Sequence, residues 1–203
     1  MLDLVERNLS VAGRALTLKV PRDLEALFTE EAFARDEFVP YWAELWPSAL
    51  ALAEVLAGRG PGTRTLEIGC GLGVPSLVAA LAGQRVTAAD WSPDAVSVLR
   101  DNAAANGADL VVTAWSWTAD PAPLAPPFDL VVAADVLYER RNVAPILDVL
   151  PALVAPGGEV WVADPGRLPA PEFLERAATQ WTVGHLPHGG PAGVTVHRLT
   201  RPA

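Results

Sequence analysis

The sequence predicts an α/β fold: a doubly wound, mostly parallel sheet with helices on both faces. Three observations predict it. From residue 63 onward, short apolar runs alternate with longer stretches of helical spacing. The glycine-rich segment LEIGCGLGVPSL follows the first of those runs and opens a helix. The 19 prolines and 16 glycines fall mainly between the periodic segments, where they act as punctuation.

The elements follow in order. Residues 9–20 alternate weakly through Leu16, Leu18 and Val20 around Ala12-Gly13-Arg14, which predicts a small hairpin. Asp23 caps a helix over 23–34 with Leu24, Leu27 and Phe28 at helical spacing. Its Glu30-Glu31 pair reads as solvated surface. Ser48 caps a second helix over 48–57 that turns Leu52, Val55 and Leu56 inward. Residues 65–68 form a strand, and 74–82 a helix closed by Gly83. After the strand 85–89, Ser92 caps and Pro93 opens a helix ended by Asn106-Gly107. Strands at 110–112 and 128–134 flank a proline-rich loop at 119–127. A helix over 143–154 leads through Pro156-Gly157-Gly158 to a strand at 159–163. Residues 171–180 read as helical, and the tail carries two β-like runs near 181–186 and 193–199. The layout is one domain over 1–203, with a hairpin and helices in 1–60 and the sheet core in 63–203.

Charge and composition exclude several classes. Net charge is −9 and Lys19 is the only lysine, so there is no basic stripe for a nucleic-acid backbone. An acidic surface suits a basic partner. One cysteine, Cys70, excludes an internal disulfide and a cysteine-rich zinc site, and fits a reducing cytoplasm. MLDLVERNLS lacks the basic and apolar regions of a signal peptide, and no apolar run reaches the roughly 18–20 residues of a membrane helix. The expectation is a cytoplasmic monomer with no membrane partner. His185, His188 and His197 are the only histidines; Gly184, Pro187 and Gly189-Gly190 mark a loop around the first two, and no metal site is expected.

In open sheets of this kind, ligands bind outside the carboxyl ends of the strands. That rule gathers Gly69, Asp90, Trp115 and Asp135 around one crevice. A P-loop would need Gly-Lys-Ser/Thr, which is absent. A dinucleotide fingerprint begun at Gly69 meets Val74, and one begun at Gly71 meets Ser76, where Gly or Ala is wanted. Glu67 would repel a pyrophosphate. S-adenosylmethionine has no phosphate and carries a sulfonium and an ammonium, so Glu67 attracts it. Gly69, Cys70, Gly71 and Gly73 let the backbone approach it. Asp90 ends the second strand, where it can accept hydrogen bonds from both ribose hydroxyls. Trp91 can cover the adenine face, and Trp115 and Trp117 can approach from the third strand, either one reaching the ring. Singly, these are also a solvated strand residue, a helix-entry residue and core aromatics. Their order and spacing together point to the cofactor.

Residues 63–163 resemble the core of class I, seven-β-strand methyltransferases. LEIGCGLG is similar to their cofactor motif, VTAAD to the acidic ribose motif, and PGGEVWVADP to the fifth strand. The resemblance implies a Rossmann-like sheet of seven strands with an antiparallel last strand, and S-adenosyl-L-methionine as cofactor. Ala134, at the end of the fourth strand, joins the cofactor set. YWAELWPSALALAEVL and DVLY resemble the seven-strand protein lysine methyltransferases. Tyr-Trp-Ala…Trp-Pro and the later ADPGR most resemble the branch that methylates the β subunit of electron transfer flavoprotein. Ser48-Ala49 stand where close relatives often have Gly-Gly. What the resemblance implies is metal-independent methylation of a protein lysine, with Trp46 touching cofactor and Asp135 and Tyr138 lining the acceptor side.

The chemistry suits those residue types. A lysine amine has a reference pKa of about 10.4, so its neutral form costs roughly 4–5 kcal/mol at pH 7. Desolvation lowers that cost, whereas a carboxylate raises it. Asp135 therefore binds and orients first, and moves protons second. Tyr138 can orient the amine through its hydroxyl or hold a cation over its ring. The structural alternative has Tyr138 packing on the next helix and Asp135 bonding its loop. A small-molecule N-methyltransferase and a non-catalytic cofactor-binding module are the competing functions.

Overall fold

A computed structural model describes residues 2–27 and 40–201. Of the helix expected over 23–34, only one 3-10 turn at Glu25–Leu27 falls within them, and Asp23 accepts from the Glu25 N–H at 2.9 Å. Glu30-Glu31 lies outside the described residues.

Strands β1 (Leu4–Val11) and β2 (Arg14–Pro21) form an antiparallel hairpin. Ala12 and Gly13 both take positive φ, 51° and 70°, the two-residue turn whose twist matches the strands. The remaining elements are α1 (Pro47–Ala57), β3 (Arg64–Ile68), α2 (Val74–Leu81), β4 (Arg85–Asp90) and α3 (Pro93–Asn106). They continue with β5 (Leu110–Ala114), β6 (Phe128–Ala134), α4 (Val143–Leu153), β7 (Val154–Asp164), α5 (Ala170–Ala177), β8 (Thr182–Leu186) and β9 (Thr195–Thr200). Seven strands make one sheet in the order β5-β4-β3-β6-β7-β9-β8. Within this sheet β9 runs opposite to the other six strands. The chain builds outward from β3 to β5, then returns to place β6 on the other side of β3. The carboxyl ends of β3 and β6 are thus the switch point where a crevice opens.

Alternation along β6 shows why helices cover both faces. Leu130 and Val132 pack with Leu52 and Leu56 of α1. Val131 and Ala133 share a cluster with Ile146 of α4 and Phe173 of α5. The hairpin closes a third cluster, in which Leu16, Leu18 and Val20 meet Leu77 and Leu99. Two asparagines one turn apart on α3 also bind the outer edge of β2 as a neighbouring strand would. Asn102 Oδ1 accepts from the Lys19 N–H at 2.6 Å, and Asn106 Oδ1 from the Thr17 N–H at 2.9 Å. Their amide nitrogens donate back to the Lys19 and Thr17 carbonyls. Spacing of two on the strand meets spacing of four on the helix.

Two expectations change. Ser48 is not a cap: Trp46 holds that position, Pro47 presets the first helical turn, and Ser48 is fully buried. The strand expected at 159–163 begins at Val154, because Phe128 pairs with Val154 before the register shifts. Pro156-Gly157-Gly158 is therefore carried within the strand as an irregularity. Among the described residues, no helix is long and apolar enough to cross a membrane.

Candidate functional site

The glycine loop after β3 is held by close packing on three sides. Gly69, Gly71 and Gly73 have φ of 65°, 49° and 76°, where a side chain strains the backbone. A Cβ on Gly71 would lie 3.0 Å from the Trp42 carbonyl oxygen. One on Gly69 would lie 3.0 Å from Val136 and 3.3 Å from Trp117. Gly73 serves packing: its Cβ would fall 2.1 Å from the end of Leu99 on α3. The loop and its neighbours line one crevice that opens to solvent.

Two buried carboxylates face that space. Glu67 is 1% exposed and accepts from the Ser76 N–H at 3.0 Å and from the Ser76 hydroxyl. Burial pushes its carboxyl up to about 8; the Ser76 bonds oppose this and the charge of Asp90 adds to it. Asp90 is 4% exposed and is likewise raised by burial. Its two oxygens accept from the Gly71 and Ser92 N–H groups, both at 2.9 Å, which fixes the carboxylate against the loop. Each oxygen has a second lone pair for a ligand hydroxyl. Carboxylates held in low dielectric stabilise a cation and repel a phosphate. A group that carries an ammonium, a sulfonium and a ribose therefore fits this donor set. Burial also raises the Cys70 thiol, so in this loop it behaves as a small apolar side chain.

Aromatic rings wall the end of the crevice nearest β6. Trp46 Nε1 donates to the Tyr41 carbonyl at 2.8 Å, which pins the indole at the entry to α1. The Tyr41 ring lies 6.1 Å from that of Trp46 and 4.9 Å from that of Tyr138. Burial pushes the Tyr138 hydroxyl up to about 12, so it stays a neutral phenol at working pH. Asp135, the residue after β6, is 6% exposed and sits at φ 57°, a conformation Asp tolerates better than most residues. Its N–H still bonds the Ala163 carbonyl at 2.9 Å, so the ladder with β7 fixes its position. Asp135 Oδ1 accepts from Arg167 Nε at 2.7 Å; Oδ2 is buried with no hydrogen-bond partner among the described residues.

The structure brings together Trp46, Glu67, Gly69, Cys70, Gly71, Gly73, Asp90, Trp91, Trp117, Ala134, Asp135 and Tyr138 around this one crevice. Trp115 does not reach it. It is 8% exposed, packs in the cluster under α4 and donates to the Asp120 carbonyl at 3.0 Å. The sequence assigns no site role to Tyr41, Trp42 or Arg167. The first two lie in the quoted YWAELWP and the third ends ADPGR, so the segments were visible while the contacts were not.

Residues 66–160 match the family model described as a methyltransferase domain. The chain is similar to EEF1A lysine methyltransferase 3 of Mus musculus, 32% identical over 60% of this chain and 54% of that protein. It is also similar to a ubiquinone biosynthesis O-methyltransferase of Xylella fastidiosa, 30% identical over 63% of this chain and 52% of that one. Among solved structures, the 16S rRNA methyltransferase RsmC of T. thermophilus, in complex with AdoMet and guanosine, superposes with a TM-score of 0.72. That pair is 18% identical, covering 98% of this chain and 51% of the other, so the likeness is one of fold. The chain spans about half the length of the curated relatives it matches. Residues 66–160, a little under half of the chain, thus carry the likeness to a methyltransferase domain, on a seven-strand sheet with the fold of the RsmC structure and beside a crevice whose residues fit S-adenosylmethionine.

Proposed function

We propose that this chain is an N-methyltransferase whose acceptor is a lysine side chain of a protein. The observation that carries the reading is Asp135 Oδ2, a buried carboxylate oxygen with no hydrogen-bond partner among the described residues, on the crevice beside the Tyr41 and Tyr138 rings. An oxygen so placed can accept a hydrogen bond from the acceptor, and an amine N–H supplies one. Tyr41, Trp46 and Tyr138 offer π faces to an alkylammonium and exclude water from it. The cofactor, when bound, supplies the electrophilic methyl carbon. The chain's own part is to hold the amine in line and desolvated, which accounts for most of the advantage in a displacement of this kind. Trp91, Trp117 and the Asp90 carboxylate hold the nucleoside end of the crevice, and Glu67 the cationic end.

Similarity to a lysine methyltransferase over much of the matched region supports a protein acceptor. The Tyr-Trp-Ala…Trp-Pro and ADPGR segments make the β subunit of electron transfer flavoprotein the first target to test. The similarity to a ubiquinone biosynthesis enzyme keeps a small-molecule acceptor as the second reading. Both are tested by incubating the protein with methyl-labelled S-adenosylmethionine and cell extract, then separating proteins from small molecules. Label as methyl-lysine supports the proposal; label confined to the small-molecule fraction supports the second reading.

A further inference from the structure

Among the described residues, one cation is built against Asp135. Arg167 reaches it from the turn after β7, with Nε 2.7 Å from Oδ1 and the guanidinium 5.3 Å from the centre of the Trp46 ring. The turn that delivers it does not depend on that side chain. The N–H groups of Gly166 and Arg167 donate to Asp164 Oδ1 at 2.7 and 2.8 Å. Removing the guanidinium therefore leaves the turn's own bonds in place.

The surroundings of Asp135 are otherwise acidic. Glu44 before α1 and Asp90 of β4 line the same crevice, Glu67 of β3 joins them once it ionises above about pH 8, and Asp164 ends the adjacent strand. After β6, Glu139 is paired with Arg141. Tyr41 and Tyr138 add phenols and Cys70 a thiol, each a weaker acid than the carboxyls. An amine placed beside Asp135 in this field would keep its proton, and a protonated amine has no lone pair to attack with.

We propose that Arg167 is a positioning residue that keeps the acceptor amine reactive: it turns Asp135 so that Oδ2 faces the acceptor nitrogen, and it cancels the carboxylate's hold on that nitrogen's proton. The proposal rests on the protein-lysine reading above. A paired carboxylate still accepts an N–H bond, so orientation is kept. The neighbouring guanidinium favours the neutral amine. Its stacking on Trp46 ties the charge to the aromatic wall.

The test is a pH profile of methyl-lysine formation in bacterial cell-extract protein, with labelled S-adenosylmethionine, from about pH 6.5 to 10. Wild type is compared with Arg167→Ala, Arg167→Lys, Asp135→Asn and the Asp135→Asn/Arg167→Ala pair. Calorimetry of cofactor binding and a melting curve accompany each variant as controls. Arg167→Ala should shift the profile upward by about one pH unit, a roughly tenfold deficit at neutral pH that closes as the amine deprotonates. Arg167→Lys should keep the profile near wild type. In the Asp135→Asn background, Arg167→Ala should add no further shift, because the effect acts through that carboxylate. A deficit constant across pH, or an equal shift without Asp135, overturns the proposal while leaving the lysine reading intact. No methyl-lysine from wild type at any pH defeats the lysine reading, and this proposal with it.

Discussion

Above about pH 8, Glu67→Gln removes one charge from the crevice with little change in shape. Glu67 is 1% exposed, and burial holds its carboxyl near 8 against an ordinary value of 4.5. Below about 4.5 the group is protonated whether the chain is folded or not. Between 4.5 and 8 the folded chain keeps a proton that the unfolded chain has released. The stability linked to that proton is therefore full in acid and is lost as pH rises to about 8. A difference of that size, at about 1.4 kcal/mol per unit, sets an upper bound of about 5 kcal/mol. Glutamine carries no such penalty at any pH and still offers Ser76 an acceptor oxygen. For a chain of this length, about 2–4 °C per kcal/mol puts the ceiling of the gain at roughly 10–20 °C in melting temperature above pH 8. Near pH 5 the gain should be small. The same change should weaken S-adenosylmethionine binding by about tenfold or more, since the ligand's positive charge loses its partner. Melting curves of the cofactor-free protein at pH 5 and 8.5, with calorimetry of cofactor binding at pH 8.5, measure both effects. A variant that melts no higher than wild type at pH 8.5, or binds cofactor equally well, would refute the placement of a buried charge in the crevice.

Three further outcomes follow from the same structure. Gly73→Ala should cost about 2–5 kcal/mol, from a left-handed φ and a Cβ driven into Leu99; in the Leu99→Ala background the clash part should vanish, as a double-mutant cycle of denaturation midpoints would reveal. Asn102→Ala leaves the Lys19 and Leu72 backbone groups without their partner and should lower stability by about 2–4 kcal/mol in urea, with the loss centred on hydrogen exchange in the hairpin. Asp135→Asn and Tyr138→Ala should each lower kcat/KM about tenfold or more while cofactor affinity holds, whereas Tyr138→Phe separates the hydroxyl from the ring; full activity in both of the first two would make the motif structural.

The sheet was legible because its signals are local. Period-two runs, the Ser92-Pro93 cap and the Asn106-Gly107 stop each fix an element from a few adjacent residues, and the structure has a helix over Pro93–Asn106. Trp115 failed for a related reason. Alternation assigns faces only while the strand lasts, and β5 ends at Ala114, so the two tryptophans beyond it diverge. The Ser48 cap failed because a favourable residue type was weighed above Pro47, whose fixed φ starts the helix one residue earlier. Val154 joined β7 because pairing with Phe128 outweighed the local turn signal of Pro156-Gly157-Gly158. Arg167 was beyond reach on principle: its bond to Asp135 spans 32 residues and forms only because β6 and β7 are neighbours. The glycine loop and Glu67 could be read as cofactor chemistry. The cation beside the acceptor required the folded sheet.

The most direct measurement is the chemical identity of the labelled product. Methyl-labelled S-adenosylmethionine is incubated with the protein and the β subunit of electron transfer flavoprotein, and in parallel with whole cell extract. The proteins are then hydrolysed to amino acids for chromatography against methyl-lysine standards. The proposal expects label in mono-, di- or trimethyl-lysine, cut about tenfold or more by Asp135→Asn and retained when a surface residue such as Arg7 is changed instead. Label recovered only in small molecules, or in methyl-arginine, would contradict it.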